Sequence, residues 1–137
     1  MQLEIPRLYA IIDPAQAGDR SSLEVAAALL SAGVRLIQLR DKRASSRELW
    51  SSAERVRALV RQSQGIFIVN DRADIASAVD ADGVHVGQED LPVEAARSLL
   101  PPGKWGGYST HILEQVRDAG PPRRRWNGRA TQGSRRW

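Results

Sequence analysis

The sequence predicts a parallel α/β fold, and three observations carry the prediction. Short apolar runs alternate with amphipathic, helix-length segments across connections of only a few residues. Two of the helical segments open on a capping-box pattern, Ser21 with Glu24 and Ser45 with Glu48. Four apolar runs close on polar clusters: Gln38-Leu39-Arg40-Asp41-Lys42, Asn70-Asp71-Arg72, Gly87-Gln88-Glu89-Asp90 and Ser109-Thr110-His111. In a parallel sheet the carboxyl ends of all strands point to one face, so side chains far apart in sequence meet there.

Taken in order, Leu8 to Asp13 is a short apolar run ending in a carboxylate and a proline, as a buried strand does. A helix follows from Ser21, with Leu23, Ala26, Ala27 and Leu30 at helical spacing and Gly33 beyond its end. Leu36 to Arg40 is the second strand, and the second capped helix runs to about Gln62. Ile66 to Val69 is the third strand, Ile75 to Val79 a short helical stretch, and Val84 to Val86 the fourth strand. Pro92 starts a helix reaching Leu100. Trp105 to Tyr108 is a weak fifth strand, because Gly106 and Gly107 have no side chains to pack, and Ile112 to Ala119 is the fifth helix.

Periodicity alone does not separate a barrel from an open, doubly wound sheet. Strand residues alternate faces, however, and Gln38 and Arg40 share one face of their strand while His85 opposes Val84 and Val86. Polar groups on the face away from the helices are costly in a doubly wound sheet and usual near a barrel mouth.

Composition narrows the function. With 42% apolar and 26% charged residues, 137 residues suit one globular domain. The absence of cysteine excludes thiolate catalysis, disulfides and cysteine-ligated metal, and fits a reducing compartment. Neither a signal peptide nor a membrane span is expected, so a cytoplasmic location is. The net charge of +4 suggests a nucleic-acid partner until it is located. Residues 121–137 hold six arginines and no acid, which leaves the preceding 120 residues slightly acidic. Arginine interleaved with Trp126 and Trp137 could contact a nucleic acid, but the tail has no motif and such segments bind polyanions without selectivity. Nucleic acid is therefore not expected as the partner.

The strand-end clusters carry the chemistry. Arg40 and Lys42 suit a phosphate or diphosphate, or else simply pair with surface acids. Asp71 either caps the following helix or, with Asp90 on the neighbouring strand end, shares a hard cation such as Mg²⁺. Ser109 next to a histidine lacks any nucleophile-elbow signature, and hydroxyl donation to a phosphate is the better reading. His85, between two valines, reads as an interior histidine. No residue is assigned as nucleophile or general base.

These residues resemble a known family. Leu8 through Ala119 is similar to thiamine-phosphate synthase, the thiamine-phosphate pyrophosphorylase of thiamine biosynthesis, on several stretches in the same order: Gly33-Val34, Gln38 to Lys42, Asn70-Asp71-Arg72 with Asp74-Ile75-Ala76, Ala81 to Pro92, and Ser109-Thr110-His111. The resemblance implies a TIM (β/α)₈ barrel and a transferase that joins hydroxymethylpyrimidine diphosphate to thiazole phosphate, releasing pyrophosphate. It implies that Gln38 contacts the pyrimidine ring, that Arg40, Lys42, Asn70 and Ser109 contact the pyrimidine diphosphate, and that Asp71 and Asp90 bind Mg²⁺ as cofactor. The related thiazole tautomerase shares the barrel and generally lacks the paired aspartates, so Asp71 and Asp90 favour the synthase.

The sequence also departs from the family. About five βα units are visible and the last three are missing, and nothing after Gly120 matches the family's thiazole-phosphate site. The expectation is a partial barrel over residues 1–120 and an irregular arginine-rich tail over 121–137, on the hypothesis that the tail is read out of frame, with open strand edges, weak stability and impaired turnover. A non-catalytic Mg²⁺-diphosphate-binding remnant is the alternative.

Overall fold

The computed structural model describes residues 6–109 and 114. Five strands, β1 (Tyr9–Ile12), β2 (Leu36–Leu39), β3 (Ile66–Asn70), β4 (Gly83–Val86) and β5 (Trp105–Tyr108), form one sheet in the order β1-β2-β3-β4-β5, every neighbouring pair parallel. Helices α1 (Ser22–Ser31), α2 (Ser46–Gln62), α3 (Ala73–Ala78) and α4 (Val93–Leu99) connect them, and consecutive helices pack side by side. Strand order that follows chain order, with the helices in one layer, is single winding. That is the wall of a barrel; a doubly wound sheet would reverse direction and cover both faces.

Local chemistry explains the elements. Both capping boxes form: Ser21 and Ser45 accept from the third helical N–H, while Glu24 and Glu48 accept from the capping residue's N–H. A single turn of 3₁₀ helix, Pro14–Gln16, follows β1, with Asp13 as its cap. Helix α3 begins at Ala73, earlier than apolar spacing indicates, and Pro92 is the cap of α4 rather than its first residue. Strand β5 forms despite its two glycines, both buried. Its neighbour Gly83 shows why small residues belong here, because a Cβ at that position would lie 2.3 Å from the Trp105 carbonyl oxygen.

The main core lies between sheet and helices, where Ile12, Ile37, Leu39, Phe67, Val69, Val84 and Val86 pack on Ala26, Leu30, Leu49, Ala53, Val56 and Val60. On the opposite face Tyr9, Leu36 and Ile68 form a smaller cluster with Ile66 and Trp105 against it. Above that cluster the same face becomes polar: Gln38, Asn70 and His85 are buried there. Of the fifth helix expected over Ile112 to Ala119 only Glu114 is described, and it is helical; Thr110, His111 and the arginine-rich tail lie outside the described residues.

Candidate functional site

The polar inner face opens at the carboxyl ends of the strands into a cleft of about 220 Å³. All seven residues singled out from the sequence line it: Gln38, Arg40, Lys42, Asn70, Asp71, Asp90 and Ser109. Register explains the convergence. Arg40 continues β2 by donating its N–H to the Ile12 carbonyl at 2.8 Å, Asn70 is paired with His85, and Ser109 continues β5 by donating to the Val86 carbonyl at 3.0 Å. Gln38 and Asn70 sit on the inward side of their strands, Arg40, Asp71 and Ser109 lie one step beyond a strand's end, and Lys42 and Asp90 come from the loops that follow β2 and β4.

The two cations are held apart from the acid between them. Asp41 closes its own turn by accepting from the Arg43 and Ala44 N–H groups, both at 3.1 Å. Arg40 pairs with Asp13, and Lys42 reaches across to Asp71 at 2.9 Å. Lys42 remains 54% exposed, leaving it accessible to an incoming anion.

Asp71 is not a helix cap. Arg72 occupies the capping position without a side-chain cap bond, and Asp71 has a left-handed φ of 63°. That conformation is uncommon for a residue with a side chain, and it turns the carboxylate to the cleft. Burial pushes the Asp71 carboxyl above its ordinary range, and the neighbouring Asp90 carboxylate pushes further in that direction against the opposing pull of Lys42. Asp90 is itself anchored, accepting from the Gly87 N–H at 2.6 Å. Two neighbouring carboxylates in a half-buried cleft, with one lysine paired to Asp71, fit a hard divalent cation, whose charge would relieve their repulsion. Among the described residues no group of three or more potential metal-binding side chains occurs, so such a cation would complete its shell with water or with ligand oxygens.

Ser109 is tied down at several points. Its hydroxyl lies 2.6 Å from His85 Nε2, and its carbonyl accepts from the Gln88 side-chain amide at 2.6 Å, which in turn accepts from the Tyr108 hydroxyl at 2.9 Å. Gln38 donates its amide to the Tyr9 hydroxyl at 2.5 Å. Sequence reasoning missed Tyr9 and Ile11 as lining residues, and it placed Gly87 in a strand-end cluster without giving it a role. Tyr9 and Ile11 carried one available signal, since each is two residues from the next along the inward face of β1. His85 lines the cleft as well, 5% exposed, an interior histidine at the rim of the chemistry. Glu89, by contrast, points to solvent.

Comparison with known proteins gives a consistent result. The family model for thiamine monophosphate synthase matches residues 8–123. A thiamine-phosphate synthase of Chlorobium luteolum is 52% identical over 98 residues, covering 72% of this chain and 46% of that protein. One from Methanospirillum hungatei is 52% identical over 109 residues, covering 80% and 53%. Among solved structures, a thiamine phosphate pyrophosphorylase from Pyrococcus furiosus superposes with a TM-score of 0.73 at 37% identity, covering 81% of this chain and 53% of that one. The chain thus spans about half the length of the curated relatives it matches.

Proposed function

The chain belongs to the thiamine monophosphate synthase family, and from that premise we propose that its cleft binds hydroxymethylpyrimidine diphosphate for transfer to a thiazole phosphate. The observation that carries the proposal is the meeting of Arg40, Lys42, Asp71, Asp90 and Ser109 around one cleft at the strand ends, a set of cations, paired carboxylates and hydroxyl suited to a metal-bound diphosphate. In this reading Gln38 contacts the pyrimidine ring, Asn70 and Ser109 donate to the diphosphate, and Arg40 and Lys42 neutralise its charge. Asp71 and Asp90 would hold Mg²⁺, which when bound supplies electrostatic stabilisation of the departing diphosphate.

The bond that breaks joins the pyrimidine methylene carbon to the diphosphate oxygen, whose electron pair leaves with pyrophosphate. The bond that forms joins that carbon to the thiazole nitrogen, which supplies its own lone pair. No protein nucleophile enters this balance, so the residues act by placing charge where it develops. His85 holds the Ser109 hydroxyl, and Gly87 holds the Asp90 carboxylate, so the groups facing the diphosphate are oriented before it arrives. Gln38 and Asn70, both buried, form the polar floor of the cleft on which the pyrimidine would rest.

Residues 1–120 are taken as the barrel unit and residues 121–137 as a separate appended segment, a division supported by the confinement of six arginines to the latter. No helix among the described residues is long and apolar enough to cross a membrane, and a cytoplasmic biosynthetic enzyme agrees with that.

Thermal unfolding of the purified chain with hydroxymethylpyrimidine diphosphate tests the reading. A ligand at about 100 times its dissociation constant stabilises the folded state by about 2.7 kcal/mol, and the gain should require Mg²⁺. Thiamine phosphate formed on adding thiazole phosphate supports the full activity, whereas stabilisation without product identifies a binding module. No Mg²⁺-dependent stabilisation overturns the proposal.

A further inference from the structure

Asp13 lies at the end of β1, and the function proposed above gives it no part. Its two carboxylate oxygens do different things. Oδ1 accepts from the Ala15 N–H at 3.0 Å and caps the 3₁₀ turn, while Oδ2 accepts from Arg40 Nη1. The cap changes what the ion pair can do. An exposed pair of freely moving side chains contributes little, but Asp13 is tethered by its cap and its side chain is only 17% exposed. It therefore presents an acceptor at a fixed place. The Arg40 backbone is fixed as well, through the bond from its N–H to the Ile12 carbonyl.

A guanidinium is a rigid plane with five N–H donors, so fixing one nitrogen orients the rest. With Nη1 turned to Asp13, the edge formed by Nε and Nη2 keeps two parallel donors for a bidentate acceptor. A diphosphate offers pairs of oxygens that match such an edge. Resting on the diphosphate-binding reading of the cleft, we propose that Asp13 is a positioning residue that presets Arg40, so that its Nε–Nη2 edge takes the diphosphate. Asp13 thus acts through Arg40 and touches no reacting atom.

Charge and positioning predict opposite signs. Asp13 is an anion close to where another anion binds, so on charge alone its removal tightens diphosphate binding. If it positions Arg40, its removal weakens binding in spite of the charge.

The test titrates inorganic pyrophosphate with Mg²⁺ present into the purified chain by calorimetry. Asp13→Asn keeps an oxygen for the Ala15 cap, since Asn caps as well as Asp, and puts an amide in place of the oxygen that faces Arg40. Affinity should fall roughly tenfold, as when a charge-assisted hydrogen bond loses its alignment, with the ligand-free unfolding midpoint unchanged. In an Arg40→Lys background the same change should cost less than about twofold, because an ammonium has no edge to orient. Equal or tighter binding by Asp13→Asn overturns the inference and leaves the diphosphate site standing. Failure of the unsubstituted chain to bind pyrophosphate overturns both. A measurement without any variant adds to this: the Arg40 Nε–H resonance should shift and its exchange slow when pyrophosphate binds, and an unresponsive resonance in a chain that does bind overturns the inference.

Discussion

Asp71, at the carboxyl end of β3, and Asp80, in the loop before the amino end of β4, both hold left-handed backbone angles, φ 63° and 52°, and both sit beside cations. Their carboxyl groups nevertheless shift in opposite directions. Asp80 receives Lys104 at 2.5 Å, Arg61 at 2.8 Å and Arg57 at 3.7 Å, and the Lys104 hydrogen bond leads the causes that hold its carboxyl below the ordinary range. Asp71 has one lysine, is more deeply buried and faces a second carboxylate, so its carboxyl is pushed up. The two clusters use the same residue types at opposite ends of the strands. One is electrostatically satisfied and laces α2 to the loops before β4 and β5; the other is left short of positive charge. A cluster short of positive charge has something to gain from a bound cation, and a satisfied one does not. This matches the general division in such barrels between chemistry at the carboxyl ends and stability at the amino ends.

The largest expected effect belongs to the stable end. Gly83 begins β4 immediately after Asp82, whose carbonyl accepts from the Trp105 N–H at 2.7 Å. A Cβ at Gly83 meets the Trp105 carbonyl at 2.3 Å and the Trp105 Cβ at 2.6 Å, and backbone atoms cannot rotate out of the way. Gly83→Ala should therefore destabilise the fold by about 3 kcal/mol, as overpacking of a tight site does. Urea denaturation measures the loss, and pyrophosphate affinity of the molecules that remain folded should not change. A loss of stability below about 0.5 kcal/mol would mean that β4 and β5 adjust freely, and the contrast between a rigid foot and a functional mouth would fail.

The second effect belongs to the mouth. Asp71→Asn suits the left-handed backbone, which Asn tolerates, and it removes a half-buried charge beside Asp90. Lys42, 54% exposed, rehydrates when its partner loses charge. Without Mg²⁺ the variant should be as stable as the unsubstituted chain or more so at pH 7. With Mg²⁺ it should bind pyrophosphate at least about tenfold more weakly, a difference of about 1.4 kcal/mol. Loss of stability together with unchanged Mg²⁺-dependent affinity would reverse the roles assigned to the two clusters.

Much of this contrast was legible in the sequence, though unevenly. The capping boxes at Ser21 and Ser45 were legible because their spacing is local and self-contained. The strand ends were legible because apolar runs stop abruptly at Gln38-to-Lys42 and at Asn70, and parallel strands bring their carboxyl ends together. The pairings were not. That Arg40 turns to Asp13 and Lys42 to Asp71, rather than both to Asp41, depends on register between strands and on Asp41 closing its own turn. The left-handed angles at Asp71 and Asp80 were equally hidden, because neither is a glycine. The Asp80 cluster escaped notice altogether, since its partners lie 19 and more residues away along the chain and share no motif.

The smallest effect tests whether Asp80 is as satisfied as its neighbours suggest. Its carboxyl is depressed in the folded chain, chiefly by Lys104, relative to an unfolded chain in which it titrates normally. A depressed carboxyl contributes stability that is present above the unfolded value, about 3.9, and is lost as pH falls through the lower folded value. Asp80→Asn keeps a residue that tolerates the left-handed angle while removing the charge. The unsubstituted chain should then exceed the variant in stability by a constant amount between about pH 5 and 8, and the gap should close below about pH 4. The amount is on the order of 0.5 kcal/mol, because the Asp80 side chain is 59% exposed and water screens its ion pairs. Glu24 and Glu48 are depressed as well by their capping boxes, so each chain alone will lose stability in acid, and only the difference between the two reports on Asp80. A gap that widens in acid would mean that the carboxyl is raised in the folded chain, and the two aspartates would then be alike in charge balance as well as in backbone.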